Sequence, residues 1–309
     1  MAMTTFAGSD TNAVIVGNVQ HLNHAVFSAG TFWLNGGAVG TAPTRSTNPS
    51  AIYGGVNDRE LPHLVAPGAP PGSYDRHAHA CNTVDTTTSD LWIGVWGTSF
   101  SAPVVNAIAT NLMASNIGWA RPEAIRAVMM ATAINVDGAF WSPSTTDQKD
   151  GNGVISGSRA VDFTNDYTLL YPNNPSATAI QGLSQWSFDS TGFLSHPPYA
   201  GPLTYNITTP SDFPEGKHLR VVLTWSGSPG INYDENEISD WDLLVTSDGG
   251  WYSSQSWNGN VEVVDIPAAN LSPDEVYSIV LTPWAYRKAV DGPVYQYFAL
   301  AWAWVDTVL

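Results

Sequence analysis

The stretch Gly97-Thr98-Ser99-Phe100-Ser101-Ala102-Pro103 brings a hydroxyl nucleophile to a junction between two elements. Ahead of it runs the apolar, strand-like Leu91-Trp92-Ile93-Gly94-Val95-Trp96, and behind it Val104 to Ser115 has helix-forming character. A serine so placed lies at the mouth of a helix. There the unpaired backbone N–H groups and the positive end of the helix dipole favour a developing negative charge. That setting suits an alcohol that attacks a carbonyl and passes through an oxyanion. The same residues also read as an ordinary helix start, with Thr98 or Ser99 as N-cap.

Other reactive types are scattered. His77 and His79 alternate before Cys81, so on an extended chain they share a face. That face reads as a metal site, as a source of a general base, or as a solvated loop. His21 and His24 carry the same alternatives of base, metal pair or plain turn. Asp147, Asp150 and Asn152, around Gly151 and Gly153, read as a turn or a calcium loop, and the full 12-residue pattern of such loops is absent. Asp234, Glu235, Asp240 and Asp242 form a second acidic group, either solvated or calcium-binding. No cofactor is expected, and structural calcium is the metal these carboxylates would suit.

Gly97 to Pro103 resembles the nucleophile segment of the subtilisin-like serine peptidases, and the resemblance continues on both sides. Asn12 to Val19 and Leu61-Pro62-His63-Leu64-Val65-Ala66-Pro67-Gly68 are similar to two of that family's strands, with Ala25-Val26-Phe27-Ser28 between them. Arg121 to Ala133 is similar to its later helix, and Gly151-Asn152-Gly153-Val154-Ile155 to the segment that closes the catalytic domain. The resemblance implies that Ser99 is the nucleophile of a serine hydrolase acting on peptides or short-chain esters through an acyl-enzyme. It also implies export, although Met1 to Thr5 has neither the basic nor the apolar part of a signal peptide. The family's histidine sits in a His-Gly-Thr-His type motif, and no His-Gly pair occurs here. Its oxyanion asparagine would fall near Ala7-Gly8-Ser9-Asp10, with Ser9 in its place. The chain is thus expected to match the C-terminal half of a peptidase domain, with the base supplied by His24, His77, His79 or a partner chain. Two alternatives stand beside this: an inactive binding or structural fragment, and one part of a split peptidase that needs an N-terminal partner.

Elements must hold these residues. Residues 1–165 are expected to form an α/β domain, a partial parallel subtilisin-like sheet with helices. In it Val104, Val105, Ile108, Leu112 and Met113 share the face of a central, buried helix that fixes Ser99. Pro122 suits the first turn of the next helix. Tyr171-Pro172-Asn173-Asn174-Pro175-Ser176 has linker chemistry, placing a linker at 166–185. After it come short β-rich runs: Leu219–Trp225, Trp241–Val245, Val261–Ile266, Val276–Leu281 and Tyr295–Trp302. They predict an all-β antiparallel, jelly-roll-like sandwich over 186–309. This half also resembles the β domain that follows some bacterial subtilisin-like domains. Its tryptophans read as core, or as platforms for sugars.

Composition narrows the partners. With 27 acidic against 11 basic residues among 309, the formal charge is −16. Nucleic acid is not expected, because phosphate binding needs clustered Lys and Arg. No apolar run approaches the roughly 20 residues of a membrane helix, and one cysteine, Cys81, allows no intrachain disulfide. An incomplete sheet leaves an open edge and an uncovered face. Self-association, as a homo-oligomer, or a complementary N-terminal fragment is therefore expected.

Overall fold

The computed structural model describes residues 14, 16–21, 32–34, 37–38, 63–69, 98–115, 121–134, 151–171, 175–178, 181–188, 202–213, 216–225, 240–255, 260–285 and 296–306. These residues are mostly β, in three sheets with a few helices.

The first sheet holds β1 (Val16–His21), β2 (Phe32–Leu34), β3 (Gly37–Ala38) and β4 (Leu64–Ala69), in the order β3-β2-β1-β4. β1 and β4 run parallel, but β1 and β2 are antiparallel, so this sheet is mixed rather than wholly parallel. β4 continues through Pro67 and Gly68, where its register against β1 shifts between Val19 and Gln20. A proline offers no N–H to the ladder, and such an irregularity accommodates it.

Three α-helices follow among the described residues: α1 (Thr98–Ala114), α2 (Pro122–Ala131) and α3 (Gly157–Asn165). α1 packs on β4 and β1. It is not the buried central helix expected from its small residues. Ser101, Val105 and Leu112 are buried, whereas Ala102, Pro103, Val104, Ala107 and Met113 are exposed. Val104 and Met113 each follow or precede a buried residue by one position, about 100° around the helix, which carries them off a narrow buried stripe. The buried helix is α2, enclosed from Glu123 to Ala131. Pro122 opens it, and its Ala124, Ala127 and Ala131 allow close approach to the sheet beneath. Ser156 caps α3 by accepting from the Arg159 N–H at 3.4 Å.

The rest is two five-stranded sheets. One is ordered β12-β9-β14-β7-β5, from β5 (Thr168–Leu170), β7 (Gly182–Phe188), β9 (Lys217–Trp225), β12 (Val261–Ile266) and β14 (Gln296–Asp306). The other is ordered β11-β10-β13-β8-β6, from β6 (Ser176–Thr178), β8 (Leu203–Thr208), β10 (Asp240–Ser247), β11 (Gly250–Ser254) and β13 (Val276–Ala285). Both are mixed, not purely antiparallel: β5 pairs parallel with β7, and β6 parallel with β8. The chain leaves β5 for the opposite sheet and returns as β7, a crossover that lets β5 and β7 point the same way. Residues 166–185, read from the sequence as a linker, thus contribute β5, β6 and the start of β7, with Leu170 and Leu183 buried.

Alternation along the strands builds two cores. Leu219, Val221, Leu223 and Trp225 of β9 face Trp241, Leu243, Tyr277 and Ile279 of the other sheet. Val222 of β9, with Ala299, Ala301 and Ala303 of β14, faces α2 instead, in a core that also takes in Leu64, Val105, Leu112 and Phe163. One sheet is therefore a wall of both cores, and small residues on β14 admit the helix. Trp302 lies over Gly182, where an added methyl would overlap its ring.

Candidate active site

α1 begins at Thr98, so Ser99 is its second residue, in the turn where backbone N–H groups lack helical partners. Pro103 lies inside the same helix. Lacking an N–H, it cannot donate to the carbonyl four residues back, that of Ser99, which leaves the ladder open beside the serine. A different residue fixes this turn. Ser101 is fully buried, and its hydroxyl donates to the Ala66 carbonyl of β4 at 2.9 Å. The start of α1 is thereby tied to the strand on which it packs.

β4 is held in turn from its other side. Val65 N–H donates to Gly153 O at 3.0 Å, and Ile155 N–H to Val65 O at 2.9 Å. Asn152, buried in the turn between positive-φ Gly151 and Gly153, donates twice to the His63 carbonyl, from its backbone N–H at 2.9 Å and from Nδ2 at 3.0 Å. The Asn152 carbonyl accepts from Arg220 Nη1 at 2.5 Å. That guanidinium also donates to the Met130 and Ala133 carbonyls at the end of α2, at 3.3 and 3.2 Å. It forms a two-armed pair with Asp265, Nε to Oδ1 at 2.8 Å and Nη2 to Oδ2 at 3.1 Å. Arg220 and Asp265 face each other across β9 and β12. A cation at a helix C-terminus, forked onto a carboxylate, compensates much of the cost of burying both charges.

His218, on the same strand, places Nε2 3.5 Å from Asp265. Burial pushes its imidazole down to about 4, with Arg220 and Arg159 acting the same way and Asp265 opposing them. It is a neutral histidine at pH 7, within the joint between α2 and the sheet. Arg126 makes a further bridge from α2, Nη2 donating to Trp225 O at 3.1 Å and to Asn260 O at 2.7 Å. The Thr224 hydroxyl donates to Glu123 O at 2.8 Å.

A subtilase family model matches residues 3–158, half of the chain. The chain belongs to the subtilase family. In this subtilase the family match thus spans β1, β4, all of α1 and α2, and the Asn152 turn. No curated protein matches the chain. Two solved structures, both viral particles, overlap parts of it: the Israeli acute paralysis virus full particle heated to 63 degrees and the acidic-stable capsid of Helicobacter pylori bacteriophage KHP30. The first is 12% identical over 39% of this chain and 56% of its own, at a TM-score of 0.20. The second is 12% identical over 43% of this chain and 94% of its own, at 0.19.

Of the residues marked by sequence, the structure puts Ser99 at the helix start and Asn152 in the joint behind β4. His24, His77, His79, Cys81, Ser9, Asp147, Asp150, Asp234 and Glu235 lie outside the described residues. Asp242 is half-buried on β10, and burial raises its carboxyl above the usual range. Among the described residues, no three His, Cys, Asp or Glu side chains gather as a metal site. Ser101, Arg220 and Asp265 were not singled out from sequence. For the last two, the charged residues inside the apolar runs Leu219–Trp225 (Arg220) and Val261–Ile266 (Glu262 and Asp265) were the available signal.

Proposed function

We propose that this subtilase is a serine hydrolase whose nucleophile is Ser99. The reading rests on one observation: the serine of the family-matched Gly-Thr-Ser segment is the second residue of a helix anchored to β4 by Ser101. In the reaction, Ser99 Oγ attacks the carbonyl carbon and its proton passes to a general base. The tetrahedral oxyanion is stabilised by N–H groups at the helix mouth. The C–O or C–N bond then breaks, the leaving group takes the proton, and water hydrolyses the acyl-enzyme. Short-chain esters suit this chain better than amides, because an alkoxide leaves with less help from an acid. His24, His77, His79 or a partner's residue would act as base.

The division that goes with this reading is a catalytic layer in residues 1–165 and a β-rich half that begins with β5. Export, and structural calcium on the acidic turns, are parts of the same proposal. The exposed flank of α1, with Ala102, Pro103, Val104, Ala107 and Met113, favours a second chain or fragment completing the catalytic layer.

Labelling by a fluorophosphonate probe tests the reading. The purified chain is expected to be labelled, with Ser99→Ala unlabelled and without ester turnover. Labelling that persists in Ser99→Ala would remove this serine from the mechanism. Wild-type labelling only after addition of an N-terminal subtilase fragment would favour the split enzyme.

A further inference from the structure

Trp251 on β11 is 71% exposed, whereas Trp225, Trp241 and Trp302 are fully buried. It belongs to the outer face of the β11-β10-β13-β8-β6 sheet. On β10, Trp241, Leu243 and Val245 point into the core, so Thr246 points out, and Ser278 and Asn206 do the same on β13 and β8. Register places these residues on one line across the sheet: Trp251 opposite Thr246, Thr246 opposite Ser278, Ser278 opposite Asn206, and Asn206 opposite Ser176. Five strands at ordinary spacing make this row roughly 19 Å long. An indole sits at one end, and hydroxyl and amide groups run from it. The Ser278 hydroxyl and Asn206 Oδ1 are 2.7 Å apart.

The turn beside the platform is held by hydrogen bonds. The hairpin beside Trp251 turns at Asp248-Gly249. Gly249 N–H is shared between Ser247 Oγ at 3.2 Å and Glu275 Oε1 at 3.3 Å, and the Glu275 carboxylate accepts from Tyr277 OH at 2.6 Å. A backbone turn fixed in advance loses little freedom on binding.

Charge selects the occupant. The five strands hold no Lys or Arg, and their only acidic residues are Asp240 and Asp242. On a chain of net charge −16, such a face offers nothing to a polyanion. Hydroxyls and amides donate and accept alike, matching a ligand that is itself hydroxyl-rich. The indole offers an apolar plane on which the C–H face of a pyranose can stack.

We propose that this face binds a neutral polysaccharide laid across the strands, with Trp251 as its stacking platform and Thr246, Ser278 and Asn206 as hydrogen-bonding partners. Affinity electrophoresis of the full chain in native gels containing hydroxyethyl cellulose, xylan or galactomannan tests this, with heparin as the anionic probe. At least one neutral polymer slows the protein, and heparin does not. Trp251→Ala weakens that retention by roughly tenfold or more, Trp251→Phe retains part of it, and Asn206→Ala reduces it severalfold. Because the indole is mostly solvent-exposed, Trp251→Ala keeps the wild-type melting temperature. Ser99→Ala is retained like wild type, which separates this site from the hydrolase reading. No retention by any of the neutral polymers, retention unchanged in Trp251→Ala, or retention by heparin instead would overturn the proposal.

Discussion

Ser101 sits two residues beyond Ser99 and contributes an anchor rather than chemistry. Its hydroxyl is the buried partner of the Ala66 carbonyl, at the point where Pro103 leaves the helical ladder open. Ser101→Ala leaves that carbonyl without the bond, at a cost of about 1–3 kcal/mol. It is expected to lower the urea midpoint and to slow fluorophosphonate labelling of Ser99. Unchanged labelling with lowered stability would show that the first turn of α1 is fixed by other contacts. His218 gives a second prediction at this scale. Its folded pKa, about 4, lies below the free value of 6.5, so between those values the unfolded chain binds the extra proton. Stability is therefore fully present above pH 6.5 and is lost as pH falls toward 4, by on the order of 3 kcal/mol. His218→Gln should flatten that part of the stability profile in urea melts at stepped pH. If both proteins lose stability equally, the imidazole is not the group responsible.

Among the elements, α2 is fastened from both sides. Arg220 takes up the carbonyl of Met130 near its end and that of Ala133 just beyond it, and the helix's own Arg126 ties it to β9 and to Asn260. Arg220→Met strands Asp265 as a buried charge and releases both α2 and the Asn152 turn. The expected loss is about 3–5 kcal/mol, whereas replacing Arg220 and Asp265 together by apolar residues costs less. A double-mutant cycle by denaturant unfolding measures the difference. Much of this arrangement was legible in the sequence. The runs Leu219–Trp225 and Val261–Ile266 became β9 and β12, Pro122 opened α2, and Ser99 fell at a helix start. The misreadings share a cause. Periodicity shows which residues of an element are apolar, but not what lies beside them. Alanines suggested that α1 was the central helix, yet it is α2 that the sheet and the other helices enclose. Prolines and asparagines suggested a spacer at 166–185, yet the three-residue strands β5 and β6 are too short to show a period. Arg220 and Asp265 become partners only through strand register, which the order of residues along the chain does not display.

At the scale of the whole molecule, the sheet β12-β9-β14-β7-β5 is covered on both faces, by the opposite sheet and by α2 with its neighbours. Scanning calorimetry of the full chain should show one endotherm for the described elements, and two well-separated transitions would contradict this. A fragment ending at residue 165 would keep α2 but lose β9 and β14, exposing Val128, Met129 and the alanines around them. It is expected to aggregate or to bind hydrophobic dyes. This arrangement also limits how the protein can change. Exchanging the β-rich half for another is expected to open voids, because its alanine-lined strand packs against one particular helix. A recombinant gene that swapped the C-terminal half would have to bring a matching helix with it. The two halves are therefore coupled through a surface that never meets solvent.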